Sequence, residues 1–274
     1  MIATLRHPGP AAARRRAFAA CRATPVDLIL PLAGTLAQSV ALALAGFDGG
    51  WLEIADAPFA SLDFVLPGED ASGAHAAWYA GPWRMGAAGR VVRLGLQAGR
   101  KDGAPWLHGH GAFEAPGWDG PGFGHILPLE SRLSQPVRAR GWGISGARLE
   151  VAMDAETRFP LFQPRALGGG DNALLLTLRP NQDLTEALEE AAAEAGIARG
   201  RIFGLGSLVR PKLEGQPRID SLATEILLTG GRLDGGKARI GAEIVTIDRA
   251  RHQGWLERGE NGICITAEVL IVAG

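Results

Sequence analysis

Three of the six histidines in this 274-residue chain, His108, His110 and His125, fall within eighteen residues of one another. Residues two apart in a β-strand project from the same face, so His108 and His110 can converge on one ion. A third histidine returning on the next strand then completes a set of three imidazole ligands. Three neutral imidazoles with an open fourth position suit zinc or a similar divalent metal, which can polarise a carbonyl or activate water. The pattern His-x-His is short, and it fits a pair of histidines lining a polar groove equally well. Glu114 and Glu130 are the nearest candidates for a general base, and the plain alternative for each is a solvated charge at a strand end. Cys21 and Cys264 stand far apart and form no spaced set, so neither a disulfide framework nor a thiolate zinc site is indicated, and a reducing cytoplasm fits.

The elements that must carry these side chains repeat. Leu174 to Leu178 reads as a buried strand, and Asp183-x-x-Glu186 has the form of a capping box opening a helix. Along that helix Leu184, Leu188, Ala191 and Ala195 form an apolar stripe, with Glu186, Glu189, Glu190 and Glu194 off it. A shift of 148 residues places Leu28 and Leu30 on Leu176 and Leu178, and Thr35-x-x-Gln38 on the cap. Leu36, Val40, Ala43 and Phe47 then reproduce the stripe without a gap. Cap, stripe and strand agree in one register, which makes a duplication a better reading than two unrelated strand-helix units.

Each helix is followed by a glycine-marked turn and an apolar run, Trp51 to Ile54 in one half and Arg201 to Val209 in the other. Further strands are expected at Arg90–Leu96, Trp106–Phe113, Leu133–Trp142, Thr224–Leu228, Arg239–Ile247 and Ile263–Val272. One helix against a mostly antiparallel sheet gives an α+β class to each half. The resulting division is a basic N-terminal segment (1–25), a domain with the histidines (26–165), a glycine-rich linker (166–171) and a second domain (172–274).

Formal net charge is −1, so no bulk attraction to nucleic acid or to an anionic membrane is available. The distribution is uneven: Met1 to Val26 carries Arg6, Arg14, Arg15, Arg16 and Arg22 with no acid, while each half beyond it is −3. The twenty residues Leu28 to Phe47 carry no charge, but Pro31, Gly34, Thr35, Gln38 and Ser39 interrupt them, and their repeat partner is charged. They are expected as a core strand and helix rather than a membrane span or a cleaved signal.

At the histidines the sequence resembles the PPC domain (plants and prokaryotes conserved), which follows AT-hooks in plant nuclear proteins and stands alone in many bacteria and archaea. The resemblance is carried by Pro105-Trp106-Leu107-His108-Gly109-His110, by Gly124-His125 ahead of a run ending at Glu130, and by Ala152-Met153-Asp154-Ala155-Glu156-Thr157 followed by Phe159-Pro160-Leu161-Phe162. It covers roughly Val26 to Gln163. It implies an α+β fold with a central antiparallel sheet, a homotrimer, a metal on the matching histidines in some members, and an association with DNA in some. The second half resembles the same family, but the positions matching His108, His110 and His125 hold Arg239, Gly241 and Trp255. None of these is an ordinary metal ligand, so the second copy is expected to contribute walls to the site. Trp255 is expected to fill space with a buried ring.

Two functions follow. One is a metal-containing, DNA-associated regulator, although no AT-hook is present: Arg199-Gly200-Arg201 is not followed by proline. The other is a metal-dependent enzyme acting on a small-molecule ligand beside the histidines. A cupin reading comes third: His108-x-His110-x-x-x-Glu114 matches the first cupin motif, but only ten residues separate Glu114 from His125, fewer than the cupin spacing needs.

Overall fold

The computed structural model describes residues 2–274, so Met1, where the expected N-terminal segment begins, lies outside the described residues. The first half runs β1 (Arg16–Leu30), α1 (Leu36–Ala43), β2 (Gly49–Gly68), β3 (Trp78–Met85), β4 (Arg90–Lys101), β5 (Ala104–Glu114), β6 (Phe123–Ile126), β7 (Arg132–Leu133), β8 (Val137–Ser145), β9 (Ala147–Met153) and β10 (Pro160–Ala166). The second runs β11 (Ala173–Leu178), α2 (Leu184–Glu194), β12 (Gly200–Val209), β13 (Thr224–Asp234), β14 (Lys237–Thr246), β15 (Arg251–Trp255) and β16 (Gly262–Ala273). All sixteen strands join one sheet, ordered β10-β9-β4-β5-β6-β2-β8-β1-β11-β16-β12-β13-β14-β15, with β3 and β7 added on β2. Pairing is antiparallel except for one bridge between β4 and β9, as expected for an α+β fold dominated by sheet.

Both helices begin as the repeat predicts. The Thr35 hydroxyl accepts from the Gln38 N–H at 3.2 Å and the Asp183 carboxylate from the Glu186 N–H at 3.0 Å. The eight residues of α1 are too few to hold a helix by themselves. Its buried face of Leu36, Ala37 and Val40, packed on Leu52, Leu94 and Leu96, supplies the stability, at roughly 1.5–3 kcal/mol for each large side chain. The uncharged run from Leu28 is therefore the end of a strand and a short core helix, and no described helix is long and apolar enough to cross a membrane. α2 packs likewise on Leu176, Ile226 and Ile271 through Leu184 and Leu188.

The strands alternate as the pleat requires, and the faces turned away from the helices meet each other. Trp51, Ala112 and Phe123 from the first half form one cluster with Phe203, Leu205, Leu227 and Leu270 from the second. The layers thus run α1, sheet, sheet, α2, with the long sheet folded over itself. Two identical turns fix the register of the strands that matter. Asp102-Gly103 joins β4 to β5 and Gly235-Gly236 joins β13 to β14, each a two-residue turn with both φ angles positive (51° and 79°; 56° and 76°).

β1 departs from the expected division at residue 25. It starts at Arg16, pairing Arg16–Cys21 with β11 and Arg22–Leu30 with β8, so ten residues of the basic segment are sheet and bridge the two halves. The arginines where it begins are engaged: Arg15, just before it, makes two hydrogen bonds to Glu156, at 2.6 and 3.0 Å, and Arg16 pairs with Glu190 and Glu194 of α2.

Candidate functional site

Counting by two from the Asp102-Gly103 turn puts His108, His110 and Ala112 on the inner face of β5, the face turned toward the second half. The β5–β6 register sets His110 directly opposite His125. The three rings come together as the spacing anticipates. His108 Nε2 lies 3.0 Å from His110 Nε2, which lies 3.3 Å from His125 Nδ1, and one nitrogen from each ring falls within 4.8 Å of the others. His110 is fully buried.

The second half closes over this face. Gly95 stands beside His110 on β4, and a Cβ there would come within 2.5 Å of Leu227 Cδ1, so glycine is what lets β13 approach. From β13, the Ile226 carbonyl oxygen lies 2.8 Å from His110 Nδ1, and Glu225 Oε2 lies 3.2 Å from His110 Nε2. From β16, Glu268 Oε2 lies 2.6 Å from His108 Nδ1. Here the structure corrects the expectation that the second half only walls the site: it brings two buried carboxyl groups to the histidines.

These outer contacts decide the tautomers. A carbonyl can only accept, so His110 Nδ1 carries the proton; a carboxylate accepts likewise, so His108 Nδ1 donates to Glu268. In the neutral form of each ring, the two Nε2 atoms then present lone pairs toward each other across 3.0 Å. Such an arrangement is repulsive unless a cation or a proton sits between. Ligand nitrogens around a tetrahedral zinc at 2.0–2.1 Å stand about 3.3 Å apart, close to the spacing here. Burial, and then the neighbouring imidazoles, hold His110 and His125 well below the ordinary histidine range, keeping both rings neutral as ligation requires. Burial and the nearby Glu268 push the Glu225 carboxyl well above the ordinary range. The donor set fits a metal, with an imidazole oriented by a carboxylate behind it.

The two carboxylates singled out by sequence are elsewhere. Glu114 is exposed at the end of β5, 3.4 Å from Arg90, and lies outside the cavity beside the histidines. Glu130 lines that cavity from an exposed position on its rim. The groups that reasoning from sequence missed are Glu225 and Glu268. Each is a lone acid inside an apolar strand run, Thr224–Leu228 and Ile263–Val272, and that anomaly was the available signal.

In the second half the expected correspondence appears in the strand register: Gly241 faces Trp255 across β14 and β15 as His110 faces His125. Trp255 is 40% exposed, however, with Arg239 stacked over its ring at 4.6 Å, so it does not fill a buried space as expected. The rung ends on β15, the sheet's outermost strand.

No protein-family model matches the chain, and no curated protein is similar enough in sequence to match it. Solved structures do match. A plant- and prokaryote-conserved (PPC) protein from Pyrococcus horikoshii is 16% identical, with a TM-score of 0.33 over 38% of this chain and 80% of its own. A metal-containing protein from Archaeoglobus fulgidus is 18% identical, with a TM-score of 0.38 over 53% and 95%. A protein from Ralstonia eutropha, named for a conjectured role in DNA binding, is 15% identical, with a TM-score of 0.36 over 52% and 94%. Each of these similarities covers about half of this chain or less.

Proposed function

We propose that the chain holds one divalent metal ion, zinc in the first instance, on His108, His110 and His125, and uses it on a small molecule bound between the two halves. The observation that carries this reading is the convergence of one nitrogen from each of the three rings within 4.8 Å, with Glu268 and the Ile226 carbonyl behind His108 and His110. When bound, the ion supplies a Lewis acid at the inner end of the cavity. Glu268 orients His108. Glu225, with an oxygen 3.2 Å from His110 Nε2, is the group placed to hold or move a proton there, in the role that Glu114 and Glu130 were expected to fill.

Elemental analysis of protein purified without added metal, and again after equilibration with zinc, tests the reading. One ion per chain is expected, and zero after equilibration, or two, would sink it. The same reading takes the two halves as copies of one domain, supported by the matched caps, the matched two-residue turns and the matched rungs. Association in threes belongs with it as an implication of the resemblance, and light scattering that returns a monomer at micromolar concentration would remove it. DNA binding has less behind it, because Arg15 and Arg16 are engaged within the chain and each half beyond the N-terminal arginines is acidic.

A further inference from the structure

The cavity beside His108 and His125 encloses about 300 Å³, at the small end of the usual range for small-molecule sites. Its walls are aromatic: Trp78, Tyr79, Trp106, Phe159 and Phe162 all line it. Trp78 and Tyr79 are 42% and 37% exposed and mark the opening. From there a run of rings leads inward, with Trp78 5.0 Å from Phe159 and Tyr79 5.2 Å from His125 between centroids. Polar groups gather at the far end, where Ser207, Thr224, Glu225 and Glu268 accompany the histidines.

The charges are one-sided. Among the described residues lining the cavity there are three carboxyl groups, Glu130, Glu225 and Glu268, and no lysine or arginine. Sites for phosphate or carboxylate ligands supply guanidinium, ammonium or a cluster of backbone N–H groups, because an anion taken out of water without them is costly. Glu268, beside His108, offsets part of the charge that a divalent ion would bring to the histidines. We infer that the cavity takes an aromatic small molecule without negative charge, presenting a neutral or amine donor to the inner end. This ligand class rests on the proposed metal site for the head group, and on the cavity walls for the body.

Calorimetry on the full chain tests it with three probes sharing one skeleton: 1-naphthylmethanol, 1-naphthylmethylamine and 1-naphthyl phosphate, each titrated into zinc-equilibrated and metal-free protein. The alcohol and the amine should bind at least tenfold more tightly than the phosphate. Glu130→Lys, an exposed rim substitution, should raise affinity for the phosphate severalfold relative to the alcohol. Phosphate binding as tight as the others, or no binding by any probe at millimolar concentration, would overturn the inference. If zinc fails to bind while the order of preference persists, the metal reading alone is lost. If one zinc binds per chain while the order is reversed, the ligand class alone is lost.

Discussion

Gly95, His110 and His125 form one rung across three strands of the first half; Gly230, Gly241 and Trp255 form the matching rung of the second. The strands, the turn type and the pairing are the same, yet only the first rung gathers groups that could hold a metal. The difference lies in what faces each. The first is covered by β13 and β16, which deliver a carbonyl and two carboxyl groups to the imidazoles. The second faces outward, and its tryptophan is served by Arg239, itself 3.0 Å from Glu214. A β-rung becomes a binding site through the surface laid against it as much as through its own residues.

The largest expected effect comes from breaking the first rung at its centre. His110→Ala should cost more than 100-fold in zinc affinity, measured by competition with a chromogenic chelator, because loss of a ligand exceeds the 10- to 100-fold range known for the groups behind ligands. The fold should survive, since the bulk of the burial comes from apolar clusters that do not need the ion. Glu268→Gln addresses the covering surface instead. Zinc affinity should fall about tenfold, as the amide oxygen still accepts from His108 Nδ1 but without charge. An unchanged affinity would mean that the second half does not tune the rung.

These two outcomes depend on residues of unequal legibility. The histidines, both helix caps and five of the six expected strand runs are legible in the chain because each rests on local spacing, while the run Leu133–Trp142 is divided between β7 and β8. Glu268 reaches His108 across 160 positions and Ile226 reaches His110 across 116, so their role exists only once the sheet has folded over itself. Only Trp51–Ile54 of β2 is legible in the sequence, because its twenty residues include a positive φ of 52° at Asp56 and change partners along their length. The burial of Trp255 was misjudged for a related reason: sequence gives a rung's composition and not its cover.

Acid presses on the first rung alone. In metal-free protein His110 and His125 titrate below the ordinary value of 6.5, so the unfolded chain takes up protons first and stability is lost as pH falls below about 6.5. Glu225, shifted upward, works the other way and gains as pH falls toward its unfolded value. Metal-free Glu225→Gln should therefore lose Tm more steeply than the parent between roughly pH 7 and 5. Identical slopes would show that these groups are not buried as described.

The smallest effect is expected at the second rung. Trp255→Ala should cost about 1 kcal/mol or less in urea unfolding, the worth of a half-exposed ring and its cation–π contact, with zinc retained. Trp51→Ala, at a fully buried ring between the halves, should cost about 3–5 kcal/mol. Equal losses would mean that the second rung is covered after all, for instance by another copy of the chain.

β1 imposes an order on synthesis. Arg16 pairs with Leu178 and Cys21 with Ala173, partners made more than 150 residues later. At a translation rate of roughly 5–20 residues per second, the first part of β1 waits some 8 to 30 s with its backbone open. Its remaining length, from Arg22 to Leu30, can pair with β8 sooner. The nascent chain thus passes through a stage in which the first half is nearly assembled and one frayed strand end, Arg16–Cys21, is held out for β11. During that interval the histidines have no cover, and their surroundings are completed only when the last strand, bearing Glu268, leaves the ribosome.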